Sequence, residues 1–325
     1  MNPGSIFLRD SKQKSMPRRR RGLLLFISLM SLFLIFRTSL HGQELHDWEN
    51  PAVFAENQME PHVQVIPYKD VSSAIRQRMG QSPWYHSLDG YWMFSWSMHP
   101  GEAPKDFFKK DYAAEGWDQI PVPSNWQNYG YGRAHYRNVG HAFPSDPPNI
   151  PDDYNPVGCY KKTFHLPDKW DGREIILHFG GVKSAFYLWV NGQKVGYDQG
   201  SMTPAEFNIT SWVKPGENQL SVKVFRFSDG TYLECQDMVR LSGIYRSVYL
   251  YSKPKVHVKD VFVKTDLDES YQDARLRVET DIYNASSSRI RQYALKASLY
   301  SPKGESVFVD QEVSAGIKIP KKERK

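Results

Sequence analysis

Cysteine is nearly absent from this chain of 325 residues, which contains only Cys159 and Cys235. Several predicted strands separate the two positions, so their spacing gives no reason to expect a disulfide. Two unpaired, partly buried thiols are the expectation. No cysteine and histidine pattern has the spacing of a metal site, which argues against a zinc module.

Net positive charge is absent outside the first residues. The formal net charge is +6, but residues 1–42 hold eight basic side chains and one acidic side chain, which leaves −1 for residues 43–325. A nucleic-acid-binding protein carries its basic residues on the folded domain. No nucleic-acid partner is therefore expected.

A hydrophobic run of membrane-spanning length is also missing. The apolar segment Leu23–Phe36 has 14 residues, whereas a spanning helix needs roughly 20. It follows the basic run Arg18–Arg21 and precedes the polar stretch 37–42, which is the three-part pattern of a secretory signal. We expect residues 1–42 to be a signal peptide that exports the chain to the periplasm or the extracellular space. Because Leu40 is large for a cleavage site, an uncleaved signal anchor remains the alternative, and Met16 is an alternative start.

Long helical patterns are lacking as well, and short strand patterns take their place. Residues 174–179 and 185–190 are strand-like, and Asn191-Gly192 directly after the second run predicts a two-residue hairpin turn. Residues 215–218 predict another turn before a strand at Leu220. Strands joined by turns without intervening helices indicate an antiparallel sandwich. The fold class is therefore all-β.

Two segments differ from this pattern. Residues 121–158 are rich in proline, asparagine and glycine, yet their aromatic residues argue for an ordered loop. After Pro254, four predicted strands (256–263, 276–283, 293–300 and 307–313) indicate a second, immunoglobulin-like sandwich. Residues 254–325 are fewer than the roughly 100 that such a domain needs, so this sandwich is expected to be incomplete.

Residues 228–246 are the most informative segment. They read SDGTYLECQDMVRLSGIYR and follow the strand pattern 220–227. Their carboxylates, at Asp229, Glu234 and Asp237, suit sugar hydroxyls or a hard cation, and loops at sheet ends often carry binding groups. A solvated acidic loop is the alternative that these residues leave open.

Seven motifs in order give the chain a family resemblance. They are DWENP (47–51), SLDGYWMFSW (87–96), PVPSNWQNYGYG (121–132), YRNV (136–139), NPVGCYKKTF (155–164), GGVKSAFYLWVNGQKVGY (180–197) and the loop 228–246. Together they closely resemble the amino-terminal region of bacterial β-galactosidases of glycoside hydrolase family 2. The resemblance implies a sugar-binding, galactose-binding-like jelly-roll sandwich over residues 43–253, followed by the immunoglobulin-like domain.

The resemblance also implies site residues. Asn138 and Asp237 match positions that contact galactose, and Asp237 also matches a sodium ligand. The pattern departs from the family at His141-Ala142, where Tyr-Pro is usual. A second set (Asp47, Asn50, Val53, Gln199 and Asp229) matches a structural magnesium site, and residues 47–54 resemble a segment that supports subunit assembly. Sodium and magnesium are thus the expected ions. Trp126 and Trp189 are expected to pack in the core rather than to bind sugar.

The catalytic part of such an enzyme is not expected in this sequence. Retaining glycosidases use two carboxyl groups about 5–5.5 Å apart, and the family carries them on a barrel that needs roughly 250 residues. Three readings stay open. They are a β-galactosidase fragment that is inactive alone, a subunit completed by a barrel-containing partner chain, and a stand-alone carbohydrate-binding protein. The unfinished second sandwich favours the first of these.

Overall fold

The computed structural model describes residues 46–76, 78–138, 140–307 and 313–319. The chain divides into two units, Met1–His46 and Asp47–Lys325, and the architecture below belongs to the second. The predicted signal (1–42) lies outside the described residues. Within the described part, no helix has the length and apolar character needed to cross a membrane.

Short strands dominate the described residues. In chain order they are β1 (Ala55–Glu56), β2 (Tyr85–Ser87), β3 (Gly90–Ser97), β4 (Asp118–Val122), β5 (His135–Arg137), β6 (Val157–Leu166), β7 (Glu174–Phe179), β8 (Val182–Lys183), β9 (Ala185–Val190), β10 (Gln193–Gln199), β11 (Ala205–Asn208), β12 (Gly216–Phe225), β13 (Met238–Arg240), β14 (Gly243–Ile244), β15 (Val248–Lys253), β16 (Val256–Leu267), β17 (Ala274–Asn284), β18 (Ile290–Ala297) and β19 (Val313–Ile319). The α-helix α1 (Val71–Ile75) is one turn long, and 3-10 turns lie at Asp47–Glu49, Met79–Gln81, Pro100–Glu102, Trp126–Tyr129, Asp168–Trp170 and Asp229–Tyr232.

Two antiparallel sheets form a sandwich. The larger has seven strands in the order β1-β10-β9-β12-β6-β3-β4, and the smaller has four in the order β11-β7-β15-β2. Their inner faces share one core, in which Trp92 and Phe94 of the larger sheet pack with Leu177 and Phe179 of the smaller. Face-to-face packing of antiparallel sheets over an apolar core is the architecture of a sandwich. The predicted all-β jelly-roll class is confirmed.

Local sequence patterns account for inner strands of both sheets. Residues 174–179 and 185–190 are strands β7 and β9, as their composition predicts. Asn191 (φ 52°) and Gly192 (φ 82°) turn β9 into β10, because both residue types tolerate positive φ. Strand β12 begins at Gly216, inside the predicted turn 215–218, and pairs with β6 at ten positions.

The proline-rich stretch 121–158 is ordered against the sandwich. Trp126 is fully buried, and a Cβ on Gly158 would lie 2.8 Å from its ring. Trp189 is half-buried and stacks on Phe108 at a centroid distance of 5.0 Å. Both tryptophans therefore pack with other side chains, as predicted.

Beyond Pro254 the chain forms two antiparallel pairs, β16 with β17 and β18 with β19. The predicted strand 256–263 lies within β16, the predicted strand 276–283 lies within β17, and the predicted strand 293–300 overlaps β18. Of the predicted strand 307–313, residues 308–312 lie outside the described residues, and β19 begins at Val313. The assignment of this region to an incomplete immunoglobulin-like sandwich stays a prediction.

Candidate functional site

The segment 228–246 leaves the end of β12 and is more regular than its polar sequence suggests. Its first turn is a 3-10 helix, Asp229–Tyr232. The Thr231 backbone N–H donates to Ser228 O at 2.8 Å, and the Ser228 backbone N–H donates to Thr231 Oγ1 at 3.0 Å. Further on, β13 pairs with β5, and β14 pairs with β8. Two short ladders thus fix the segment on the sandwich, and a rigid scaffold is what a binding loop requires.

The β5–β13 pair brings the two predicted sugar contacts together. Met238 opposes Arg137 in an antiparallel register, so Asp237, one residue before β13, lies opposite Asn138, one residue after β5. Both side chains are exposed. The pairing therefore places the Asn138 amide, which donates and accepts hydrogen bonds, beside the Asp237 carboxylate, which accepts them. This combination suits sugar hydroxyls.

Tyr136 completes this arrangement. Its hydroxyl donates to Asp237 Oδ1 at 2.8 Å, and this hydrogen bond raises the pKa of Tyr136. The bond holds Oδ1, and no described residue bonds Oδ2, which leaves that oxygen for a ligand. This role of Tyr136 was not predicted from the sequence, although the residue lies in the YRNV motif. Alternation along β5 places Tyr136 on the same face as Asn138, near Asp237.

The rest of the segment is anchored by contacts on either side of Asp237. Glu234 accepts from the Ser201 backbone N–H at 3.0 Å and from the Ser201 hydroxyl at 2.5 Å. Cys235 Sγ lies 2.8 Å from His141 Nδ1. Glu234 thus holds the loop in place, and His141, where the chain departs from the family pattern, contacts the same loop.

Both cysteines are free, as predicted. Cys159 is fully buried on β6, and burial raises the pKa of its thiol to about 12. A thiol with so high a pKa is unreactive at neutral pH. Cys235 is half-buried beside His141.

The predicted magnesium ligands come from three neighbouring segments. The 3-10 turns at Asp47–Glu49 and Asp229–Tyr232 are in contact, and Gln199 ends β10 beside them, with its backbone N–H donating to Phe54 O at 3.2 Å. Within this group Asp47 accepts from the Tyr187 hydroxyl at 2.6 Å, and Gln199 Oε1 accepts from the Tyr197 hydroxyl at 2.8 Å. Asn50 Oδ1 accepts from Ala52 N, and Val53 N donates to Asn50 O.

The chemistry of this donor set fits magnesium, because all the candidate donors are oxygens. Burial raises the pKa of Asp229, which shows the cost of an ionised carboxylate there without a cation. Among the residues that the structure describes, no three Asp, Glu, His or Cys side chains lie close enough together to hold a metal. Any ion would therefore depend on the amide and backbone oxygens of Asn50, Gln199 and Val53.

Asp198 is a buried carboxyl that the sequence analysis did not single out. It is 3% exposed, and its Oδ1 has no hydrogen-bond partner within the described part of the chain. Burial raises its pKa to about 7. Tyr197 and Gln199, which bond each other, lie on the other face of β10, because side chains alternate along a strand. Asp198 therefore points away from the candidate metal ligands.

Comparisons with known proteins agree with this architecture. Residues 85–254 match the family described as "Glycosyl hydrolases family 2, sugar binding domain". The chain is 40% identical over 267 residues to a β-galactosidase of Priestia megaterium, covering 81% of this chain and 26% of the relative. It is 40% identical over 273 residues to a β-galactosidase of Vibrio cholerae, covering 84% of this chain and 26% of the relative.

Solved structures show the same fold. The Bacteroides uniformis β-glucuronidase superposes with a TM-score of 0.59 at 22% identity, over 74% of this chain and 26% of that chain.

The present chain spans about a quarter of the length of the curated relatives. The matched family region covers more than half of the sequence and contains Asn138 and Asp237. The chain belongs to glycosyl hydrolase family 2 and contains the sugar-binding domain of that family.

Proposed function

We propose that residues 47–253 form the galactose-binding part of a β-galactosidase that hydrolyses terminal β-D-galactosides. The observation that carries this proposal is the β5–β13 pair, which presents Asn138 and Asp237 together at an exposed sheet end. The Tyr136 hydroxyl supports it by orienting the Asp237 carboxylate.

In this proposal the chain binds and orients the sugar and does not break the glycosidic bond. Cleavage needs an acid/base and a nucleophile about 5–5.5 Å apart. Glu234, the carboxylate nearest in sequence to Asp237 within the loop, has both oxygens bound to Ser201. The catalytic pair would come from polypeptide beyond this sequence, in the same protein or in a barrel-containing partner. Purified residues 43–325 are therefore expected to release no nitrophenol from nitrophenyl galactoside.

Ions would act locally. Asp237 would share its free oxygen between the sugar and a sodium ion, since hard cations prefer oxygen ligands. Magnesium would be held by Asp47 and Asp229 with the oxygens of Asn50, Val53 and Gln199, and would fasten the amino-terminal segment to the sandwich. Subunit assembly through residues 47–54 belongs to the same proposal.

Export is a further element of the proposal. The basic and apolar runs of residues 1–42 support a periplasmic or extracellular location, with a membrane anchor if the signal is retained. Fractionation of expressing cells tests it, and a protein found wholly in the cytoplasmic fraction would contradict it.

Calorimetric titration tests the sugar site. The chain should bind galactose with millimolar or better affinity and should prefer it to glucose, which differs only at the C4 hydroxyl. Asp237→Ala should abolish binding, because it removes the acceptor, whereas Asp281→Ala, at an exposed aspartate of β17, should leave it unchanged. Equal binding by wild type and Asp237→Ala would refute the assignment.

A further inference from the structure

A cavity lined by three buried cationic side chains lies against the segment 228–246. Its walls include Lys183 on β8, Arg226 after β12 and Arg240 at the end of β13, together with Cys235 and Ser242. Lys183 is 7% exposed, Arg226 is 3% exposed and Arg240 is 5% exposed. Side chains of this kind are almost never buried unless they are paired.

None of the three forms an ion pair with a described residue. Lys183 Nζ has the Met238 sulfur as its contact, at 3.9 Å. Burial lowers the pKa of Lys183 and that of Arg226, which shows that the surroundings do not compensate these charges. An unpaired buried charge is strongly destabilising.

The unmet hydrogen bonds in this cavity are donors. Arg240 gives Nη1 to the Glu234 carbonyl, but its Nε and Nη2 are buried with no partner in the described chain. Arg226 gives Nη2 to Arg133 O at 2.8 Å, and its Nε is likewise buried without a partner. Nε and Nη2 form one edge of a guanidinium group. Through such an edge, arginine binds a carboxylate with two parallel N–H···O hydrogen bonds.

The nearby carboxylates of the chain are already engaged. Glu234 acts on Lys183 only through its charge, because its two oxygens bind Ser201. Asp237 is bound to Tyr136 and is not part of the cavity wall. The described residues around these three cations therefore supply neutral acceptors to Arg226 and Arg240 but no carboxylate partner to any of the three.

We propose that this cavity is a carboxylate-binding site, distinct from the sugar site and independent of the function proposed above. The carboxylate would bind the Nε–Nη2 edge of Arg240 in bidentate fashion, and the positive charges of Lys183 and Arg226 would strengthen its attraction to the cavity. It is either a free small carboxylate or the side chain of an aspartate or glutamate on a second polypeptide. Both sources present the same planar anion.

Thermal unfolding of the purified chain in sodium acetate, compared with sodium chloride at equal ionic strength, tests the site. Ligand binding to the folded state should raise the Tm of the wild type in acetate by roughly 3 °C when the site is nearly saturated. Arg240→Met and Lys183→Met should show no rise of the Tm in acetate. Arg240→Lys keeps the positive charge but lacks the paired N–H donors of a guanidinium group, so its Tm should rise by less than that of the wild type. Arg277→Met, at an exposed arginine of β17, is the matched control and should keep it.

A carbodiimide reaction followed by peptide mass spectrometry distinguishes the two sources. Acetylation of Lys183 in acetate buffer that is lost in Arg240→Met identifies the free anion. A cross-linked peptide joining Lys183 to an acidic residue of a second chain identifies a side-chain carboxylate. Either product supports the site. Equal Tm in acetate and chloride with no product at Lys183 would overturn the proposal, as would an acetate effect of the same size in wild type and Arg240→Met.

Discussion

Two regions of one sandwich hold buried charge in opposite ways. On the smaller sheet, the Glu206 carboxylate of β11 lies 2.7 Å from His178 Nδ1 and 3.0 Å from His62 Nε2, and it accepts from the Tyr251 hydroxyl at 3.0 Å. At the loop end, Lys183, Arg226 and Arg240 are equally buried and have no carboxylate partner among the described residues.

The difference separates a structural cluster from a binding region. Although burial alone would raise it, the hydrogen bonds from His178 and His62 lower the pKa of Glu206 to about 2. The cluster also holds the segment before β2 in place, because His62 belongs to that segment and contacts Glu206. The next residue, Val63, adds a backbone hydrogen bond from its N–H to Asp260 Oδ1. Removing one partner of a buried, fully paired charge is strongly destabilising, because it leaves the other charge buried and uncompensated. A buried charge that lacks a partner already carries that cost, and a ligand of opposite charge would lower it.

Loss of Glu206 should produce the largest effect on stability. Glu206→Ala removes the common partner of two histidines and a tyrosine, and it should lower the free energy of unfolding by about 3–5 kcal/mol. Urea denaturation measures this change. Glu217→Ala, at an exposed glutamate of β12, should change stability by less than about 0.5 kcal/mol, and similar losses in both variants would end the distinction between the two regions.

Asp198 offers the opposite test, because it is buried and its Oδ1 has no hydrogen-bond partner among the residues that the structure describes. Its folded-state pKa of about 7 lies above the ordinary value of 3.8. The folded state therefore binds a proton more tightly, and stability falls as pH rises from about 4 through about 7. Asp198→Asn should be more stable than wild type by roughly 1–3 kcal/mol at pH 8, with the gain shrinking toward pH 4. A variant less stable than wild type at pH 8 would show that the carboxylate has a partner.

His62 sharpens the comparison through pH. Its hydrogen bond to Glu206 raises its pKa above 6.5, so the stability it contributes is present in full below pH 6.5 and is lost as pH rises through the higher folded value. His62→Asn should cost about 1–2 kcal/mol at pH 6 and less at pH 9. Urea denaturation of the wild type and His62→Asn at both pH values measures the loss in the free energy of unfolding. A loss that is the same at pH 6 and pH 9 would show that the charge on His62 does not contribute to stability.

Tyr136 should have the smallest effect and should act on binding alone. Tyr136→Phe removes the hydroxyl that holds Asp237 Oδ1, and it should weaken galactose binding about 3- to 10-fold. Because the side chain is 62% exposed, the Tm should not change. An unchanged dissociation constant would show that Asp237 needs no such support.

Part of this picture could be predicted from sequence because it is local. Strands β7 and β9 and the turn Asn191-Gly192 depend on residues adjacent in the chain, and the structure has them where they were expected. Strands β5 and β13, of three residues each, are too short to carry a pattern and exist through their pairing. Family motifs, rather than periodicity, pointed to Asn138 and Asp237.

The charged clusters could not be predicted because they are assembled from distant segments. Glu206 meets a histidine 28 positions earlier and another from the segment before β2. The cationic cavity combines residues from β8, from the end of β12 and from β13. No spacing rule relates these positions, and their burial becomes evident only in the folded sandwich.

Backbone NMR during a galactose titration tests the central claim most directly, because it locates even a millimolar site. The account predicts that the largest shifts of the amide signals fall on residues 135–138 and 237–240, and that glucose gives smaller shifts at the same positions. Shifts that are absent there, or that concentrate on another face of the sandwich, would contradict the sugar site at the β5–β13 pair.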